Sequence, residues 1–125
     1  MEVKVSFCIE HEPEKADDEL EGRMHQALGM TLEDFTRRVV ADVQKAIGGR
    51  PARVLCVRCY RTKLKKQGFA VKAMRAGTMP DIILGFCGDV ADFEVTMLHE
   101  LLHITRWDEK AVEAKAKEIY KRRRL

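Results

Sequence analysis

Apolar and polar residues alternate from Glu2 to Ile9, with Val3, Val5, Phe7 and Ile9 on one side, and a period of two predicts a β-strand over 2–9. Residues 10–21 break that pattern. They hold seven acidic groups against one lysine, with Pro13 among them, and read as a solvated loop or a polar short helix. Helical spacing follows: Leu32, Phe35, Val39, Val43 and Ile47 mark one face, Thr31 caps the start, and Gly48-Gly49 stops the run. Strands are predicted at about 52–60 and 68–74, joined through basic residues 61–66 as a hairpin or meander. Met79-Pro80 then leads into a short apolar strand over 81–86, with Gly85 and Gly88 framing the turn that follows. Asp89 is placed to cap a helix that carries Leu98, Leu101, Leu102 and Ile104 and ends near Arg106. Asp108 caps a second helix at once, with Ala111, Val112, Ala116 and Ile119 as its buried stripe. The expected fold is α+β: a small mixed sheet packed on one helix, followed by two C-terminal helices.

A length of 125 residues supports one domain over 1–125 with a real core. Hydrophobic residues make up 46%, but no apolar run approaches the ~18 residues that a membrane span needs. The strand-like N-terminus lacks the layout of a secretory signal, so the expected location is cytoplasmic. Asparagine is absent, glutamines number three, and 34% of residues are charged, a balance found in thermophilic proteins. Cys56 and Cys59 have C-x-x-C spacing, but no second pair or nearby histidine completes a structural zinc site. On a strand their thiols point to opposite faces, so both are expected to be reduced.

Charge is unevenly distributed. Residues 50–75 contain nine lysines and arginines and no acid, against a whole-chain net charge of +3. Such a stretch is either a solvated basic face or a docking surface for acidic peptides or for nucleic acid. Only Tyr60 and Phe69 interleave as aromatics, which is thin provision for base stacking. The tail Lys121-Arg122-Arg123-Arg124 either suits the C-terminal end of a helix without needing a partner or touches RNA or acidic lipid. The acidic 10–21 segment is either solvated or a lid over a cleft, and His11 and His25 are expected at the surface.

The chemistry concentrates in His99-Glu100-Leu101-Leu102-His103. Histidines at i and i+4 stack on one helical face about 6 Å apart, so both rings can reach one metal ion. Glu100 sits beside the first of them, placed to take a proton from a metal-activated water rather than to bind the metal. A chain of this composition would show H-E-x-x-H by chance with a probability of about 1%. A catalytic zinc needs a third protein ligand. If the last two helices fold back about residue 106 or 107, Leu101, midway between the histidines, reflects to about residue 112. That favours Glu113; Glu109 lies nearer the corner, and Asp108 is a further alternative.

HELLH followed by Glu113-Ala-Lys-Ala116 resembles the gluzincin zinc peptidases, in which an H-E-x-x-H helix is completed by E-x-x-A on a glutamate helix. The short spacer and short chain make it most similar to the single-domain minigluzincins of archaea. That resemblance implies a soluble zinc metallopeptidase acting on peptides or proteins, with His99, His103 and Glu113 on zinc and Glu100 as general base. The strand over 81–86 would then either pair with extended substrate as an edge strand or be a plain core strand. A second resemblance is to bacterial ribosomal-RNA-maturation endoribonucleases, whose signature is H-G-x-L-H-L-x-G-Y-D-H. Glu100 stands in place of its glycine, Glu109 in place of its last histidine, and Pro80-Asp81-Ile82-Ile83 is similar to the preceding G-D-I strand. A zinc-stabilised binding domain without turnover is the third reading. Tyr120 and Tyr60 are distant candidates for stabilising an oxyanion.

Overall fold

A computed structural model of the chain describes residues 2–48, 54–71, 81–104 and 108–125. Nine elements follow in order: β1 (Glu2–Ile9), β2 (Glu12–Ala16), α1 (Asp18–Leu28), α2 (Leu32–Ile47), β3 (Val54–Arg61), β4 (Gly68–Val71), β5 (Asp81–Phe86), α3 (Val90–His103) and α4 (Glu109–Arg122). The fold is α+β, as the hydrophobic pattern predicts. The five strands form one mixed sheet in the order β2-β1-β3-β5-β4. β1, β3 and β5 are parallel, and β2 and β4 flank them antiparallel.

The strand register explains the core. Val3 aligns with Leu55, Val57 with Ile82, and Cys59 with Leu84, and all of these are buried on the face that the helices cover. α2 contributes Phe35, Val39 and Val43, α3 contributes Phe93, Met97, Leu98 and Leu102, and α4 contributes Val112, Ala116 and Ile119. Phe93 stacks edge-on against Phe86 of β5 with centroids 5.7 Å apart, which fixes α3 over β5, beside the β4 edge of the sheet.

Two elements depart from expectation at the N-terminal side. The acidic stretch forms β2, a short exposed edge strand, and then the start of α1. Here Asp17 does the organising: its carboxylate caps α1 at the Leu20 N–H and pairs with Arg61 at 2.9 Å. The capping bond and then the Arg61 guanidinium hold the Asp17 carboxyl below the usual carboxylate range. Leu20 and Met24 of α1 are fully buried, a pair too sparse among charges to read as a periodic stripe.

β5 is also an interior strand, between β3 and β4, so residues 81–86 are not an edge that could pair with substrate. The edge on that side is β4. The chain reaches β4 from β3 by crossing the end of β5, where the Thr62 N–H donates to Phe86 O and the Gly85 N–H to Gln67 O. The crossing needs Gly85 to lack a side chain, because a Cβ there would lie 2.6 Å from Thr62 Cγ2 and 2.8 Å from Gln67 Cβ. The expected extension of this strand to residue 74 and the expected helix end near Arg106 lie outside the described residues.

The basic tail is tied into the fold. Arg123 pairs with Asp42 of α2 and with Glu94 of α3, and Arg124 pairs with Glu94 at 2.5 Å. Glu94 is buried, and the Arg124 guanidinium lies 3.5 Å over the Tyr120 ring. The end of α4 is therefore anchored to both α2 and α3. No helix among the described residues is long and apolar enough to cross a membrane.

Gly85→Ala should destabilise the protein by about 1–3 kcal/mol, because the overpacked crossing must open. Urea unfolding measures this, and an unchanged midpoint would contradict the account of the crossing.

Candidate metal centre

His99 and His103 lie on the last turns of α3, held there by the buried Leu98, Leu101 and Leu102 on the opposite side. Four residues apart, their rings meet edge-on with centroids 4.5 Å apart, and the two Nε2 atoms are separated by 2.8 Å. Ligand atoms of His99, Glu100 and His103 all lie within 4.8 Å of one another.

A third donor comes from α4. Glu109, its first residue, places Oε1 3.0 Å from His99 Nε2 and Oε2 3.1 Å from His103 Nε2. Glu113, the third ligand favoured by the reflection argument, lines the same cleft one turn further along. It makes no hydrogen bond or ion pair with a described residue. α3 ends at His103 and α4 begins at Glu109, and both histidines face that first residue of α4. Helical side chains lean toward the N-terminus of their own helix, which carries the Glu109 carboxylate back over the histidines.

This donor set fits a cation. Each Nε2 stands within about 3 Å of the other and of a carboxylate oxygen, and one proton between two nitrogens can satisfy only one of those contacts. A single positive ion among the three groups satisfies all of them at once. Zinc bonds of roughly 2.0–2.1 Å at the tetrahedral angle separate ligand atoms by about 3.3 Å. The rings need to part by about half an ångström to reach that spacing, a small rotation for side chains that are only partly buried.

Glu100 is placed differently. Its residue is buried, and its carboxylate accepts a hydrogen bond from the Ala70 N–H of β4. Burial pushes the Glu100 carboxyl up from its ordinary value; the neighbouring His103 opposes that, Glu109 reinforces it, and the Ala70 bond opposes it. A carboxylate with a raised proton affinity beside a metal is suited to proton transfer. The Ala70 contact had no signal in the sequence, since it depends on where the edge strand falls.

The donors open into a cleft of about 510 Å³ between α3, α4 and β4. Val95 and Thr96 of α3, Glu113, Ala116 and Lys117 of α4, and Lys66 and Gly68 border it. Gly68 lets β4 press close: a Cβ there would come within 2.9 Å of both Thr96 Cγ2 and Leu84 Cδ2.

Other candidates fall away from this centre. Tyr120 lies beneath Arg124 at the far end of α4, and Tyr60 aligns with Cys8 and Gly85 on the sheet face turned away from the core. The acidic segment and β2 occupy the opposite edge of the sheet from β4, which separates them from the cleft. Within the basic stretch, Arg61 is paired with Asp17 and Lys65 with Asp89, so part of its charge is neutralised internally. Arg50, Arg53, Lys72 and Arg75 lie outside the described residues. Cys59 points into the core and Cys56 away from it, as alternation predicts. Searches against protein-family models, curated proteins and solved structures find no match for this chain.

Desolvation raises the Cys59 thiol far above the ordinary cysteine range. It should resist Ellman's reagent near pH 8 in the native protein and react after unfolding, because the thiolate is the reactive form. Rapid labelling of Cys59 in native protein, read by peptide mass mapping, would contradict its placement.

Proposed function

We propose that the protein is a zinc-dependent hydrolase that cleaves peptide bonds, with His99, His103 and a carboxylate of α4 as ligands and Glu100 as general base. The observation that carries this reading is the convergence of both Nε2 atoms on Glu109, with the Glu100 carboxyl beside them in an open cleft. The geometry favours Glu109 as the α4 ligand over Glu113. Zinc held by such a set supplies Lewis acidity and a water of lowered pKa. Glu100 takes the proton of the attacking water and delivers it to the leaving amine, a role its raised proton affinity suits. The Ala70 N–H holds the carboxylate in place against the edge strand. β4 is the edge strand beside the centre, and its outward backbone groups other than the Ala70 N–H offer extended peptide a partner. The H-E-x-x-H half of the gluzincin resemblance, residues 99–103, supports the same chemistry, whereas the glutamate that resemblance implies as ligand, Glu113, is not the one that meets the histidines.

A second reading has one specific observation in its favour. Glu109 occupies the place of the last histidine in the endoribonuclease signature, and Lys66 of the basic stretch borders the cleft. Zinc-dependent cleavage of structured RNA, with binding that weakens steeply as salt rises, would favour it over the peptidase.

Glu100→Gln should retain stoichiometric zinc and lose about 10²–10⁴-fold of its peptidase rate on a peptide library. Glu109→Gln should weaken zinc affinity by more than the roughly 10–100-fold that follows loss of an outer partner, and Glu113→Gln by less. Zinc competition titration separates the two carboxylates. An unchanged rate in Glu100→Gln removes the general base, and full zinc affinity in Glu109→Gln removes the third ligand.

A further inference from the structure

Once Glu109 is given to the metal, Glu113 is left as a carboxylate without a partner among the described residues, facing the same cleft. Lys117 lies one turn further along α4 and borders the cleft as well, as does Lys66 from the connection that leads to β4. Neither lysine ammonium is paired with a described acid, although Lys65 and Lys115 beside them are paired with Asp89 and Glu118. Lys66 is held by its backbone: its N–H donates to both oxygens of Asp92 at 3.2 Å, with φ at +57°. That bond also engages Asp92, the other acid at this end of the cleft. Leading away from the histidines, α4 therefore presents a negative charge and then a positive one.

The spacing has a counterpart in an extended peptide. Residues i and i+4 of a helix are separated by about 6.0 Å along its axis. Residues i and i+2 of a strand, which share one side, are separated by about 6.6 Å. A peptide lying along α4 in extended form thus sets alternate side chains opposite Glu113 and Lys117.

Resting on the hydrolase reading above, we propose that the cleft selects peptides by charge at two alternate positions. Glu113 receives a basic side chain close to the scissile bond, and Lys117, with Lys66 across the groove, receives a carboxylate two residues further out. The carboxylate comes from an acidic side chain or from the chain terminus. A nucleic acid backbone, anionic throughout, meets repulsion at Glu113 and is disfavoured.

Fluorescence anisotropy with zinc-loaded Glu100→Gln protein and labelled alanine-based hexapeptides tests this without turnover. Peptides carrying Lys-x-Glu should bind about tenfold tighter than Lys-x-Lys or Glu-x-Glu, at about two- to fivefold for each exposed contact. Placing Lys and Glu in adjacent positions should forfeit most of that gain, since the two side chains then point to opposite sides. Free and amidated forms of a peptide ending two residues after Lys show whether a terminal carboxylate serves. Adding Glu113→Lys should turn the preference to Glu-x-Glu, and adding Lys117→Glu should turn it to Lys-x-Lys, with zinc content unchanged in both. Equal binding of all peptides, no peptide binding, tighter binding of a single-stranded RNA, or loss of zinc in Glu113→Lys each overturn the proposal. Equal binding alongside zinc-dependent cleavage by the protein with Glu100 intact leaves the hydrolase reading standing. Charge selection without any cleavage leaves the subsite and retires the hydrolase.

Discussion

The structure turns on the approach of one carboxylate to two imidazoles across the α3–α4 corner. Three groups with lone pairs directed at a common point repel one another unless a cation or shared protons lie between them. The surrounding fold supplies the constraint. α3 is pinned to the sheet through Phe93 and Phe86, α4 is packed on α3 through Val112, Ala116 and Ile119, and Arg123 and Arg124 fasten the far end of α4 to Asp42 and Glu94.

The sheet contributes in a less obvious way. β4 is brought beside α3 by a connection that crosses the end of β5, and two glycines make room for it. Gly85 accommodates the crossing, and Gly68 lets the strand close on Thr96 and Leu84. The result is that a backbone N–H from the sheet edge meets the carboxylate of Glu100 on a neighbouring helix. Proton-transfer chemistry of the kind proposed depends on holding that carboxylate in one orientation, and the strand provides the hold.

Much of this was legible in the chain itself. Period-two and period-3.6 patterns located β1, α2, β5, α3 and α4, and Thr31, Asp89 and Asp108 cap their helices as their side-chain chemistry requires. The histidine pair needed only helical geometry. What escaped was whatever depends on elements distant in sequence. Nothing local distinguishes β5 as an interior strand, because its neighbour β4 precedes it and reaches its far side by the crossing. α1 was hidden because Leu20 and Met24 are buried among acids that face solvent. The basic tail is engaged because Glu94 and Asp42 lie where Arg123 and Arg124 arrive, a match that composition does not reveal. At the site, the carboxylate that meets both histidines is Glu109, the first residue of α4, where the reflection argument favoured Glu113.

X-ray absorption at the zinc edge, on protein loaded with one equivalent of the metal, tests the centre most directly. The account predicts two imidazoles and only oxygen donors besides, at roughly 2.0–2.2 Å, with one oxygen replaced when a hydroxamate is added. Sulfur scattering near 2.3 Å, or a shell that no added ligand perturbs, would place the metal elsewhere or close its coordination, and would contradict the centre described above.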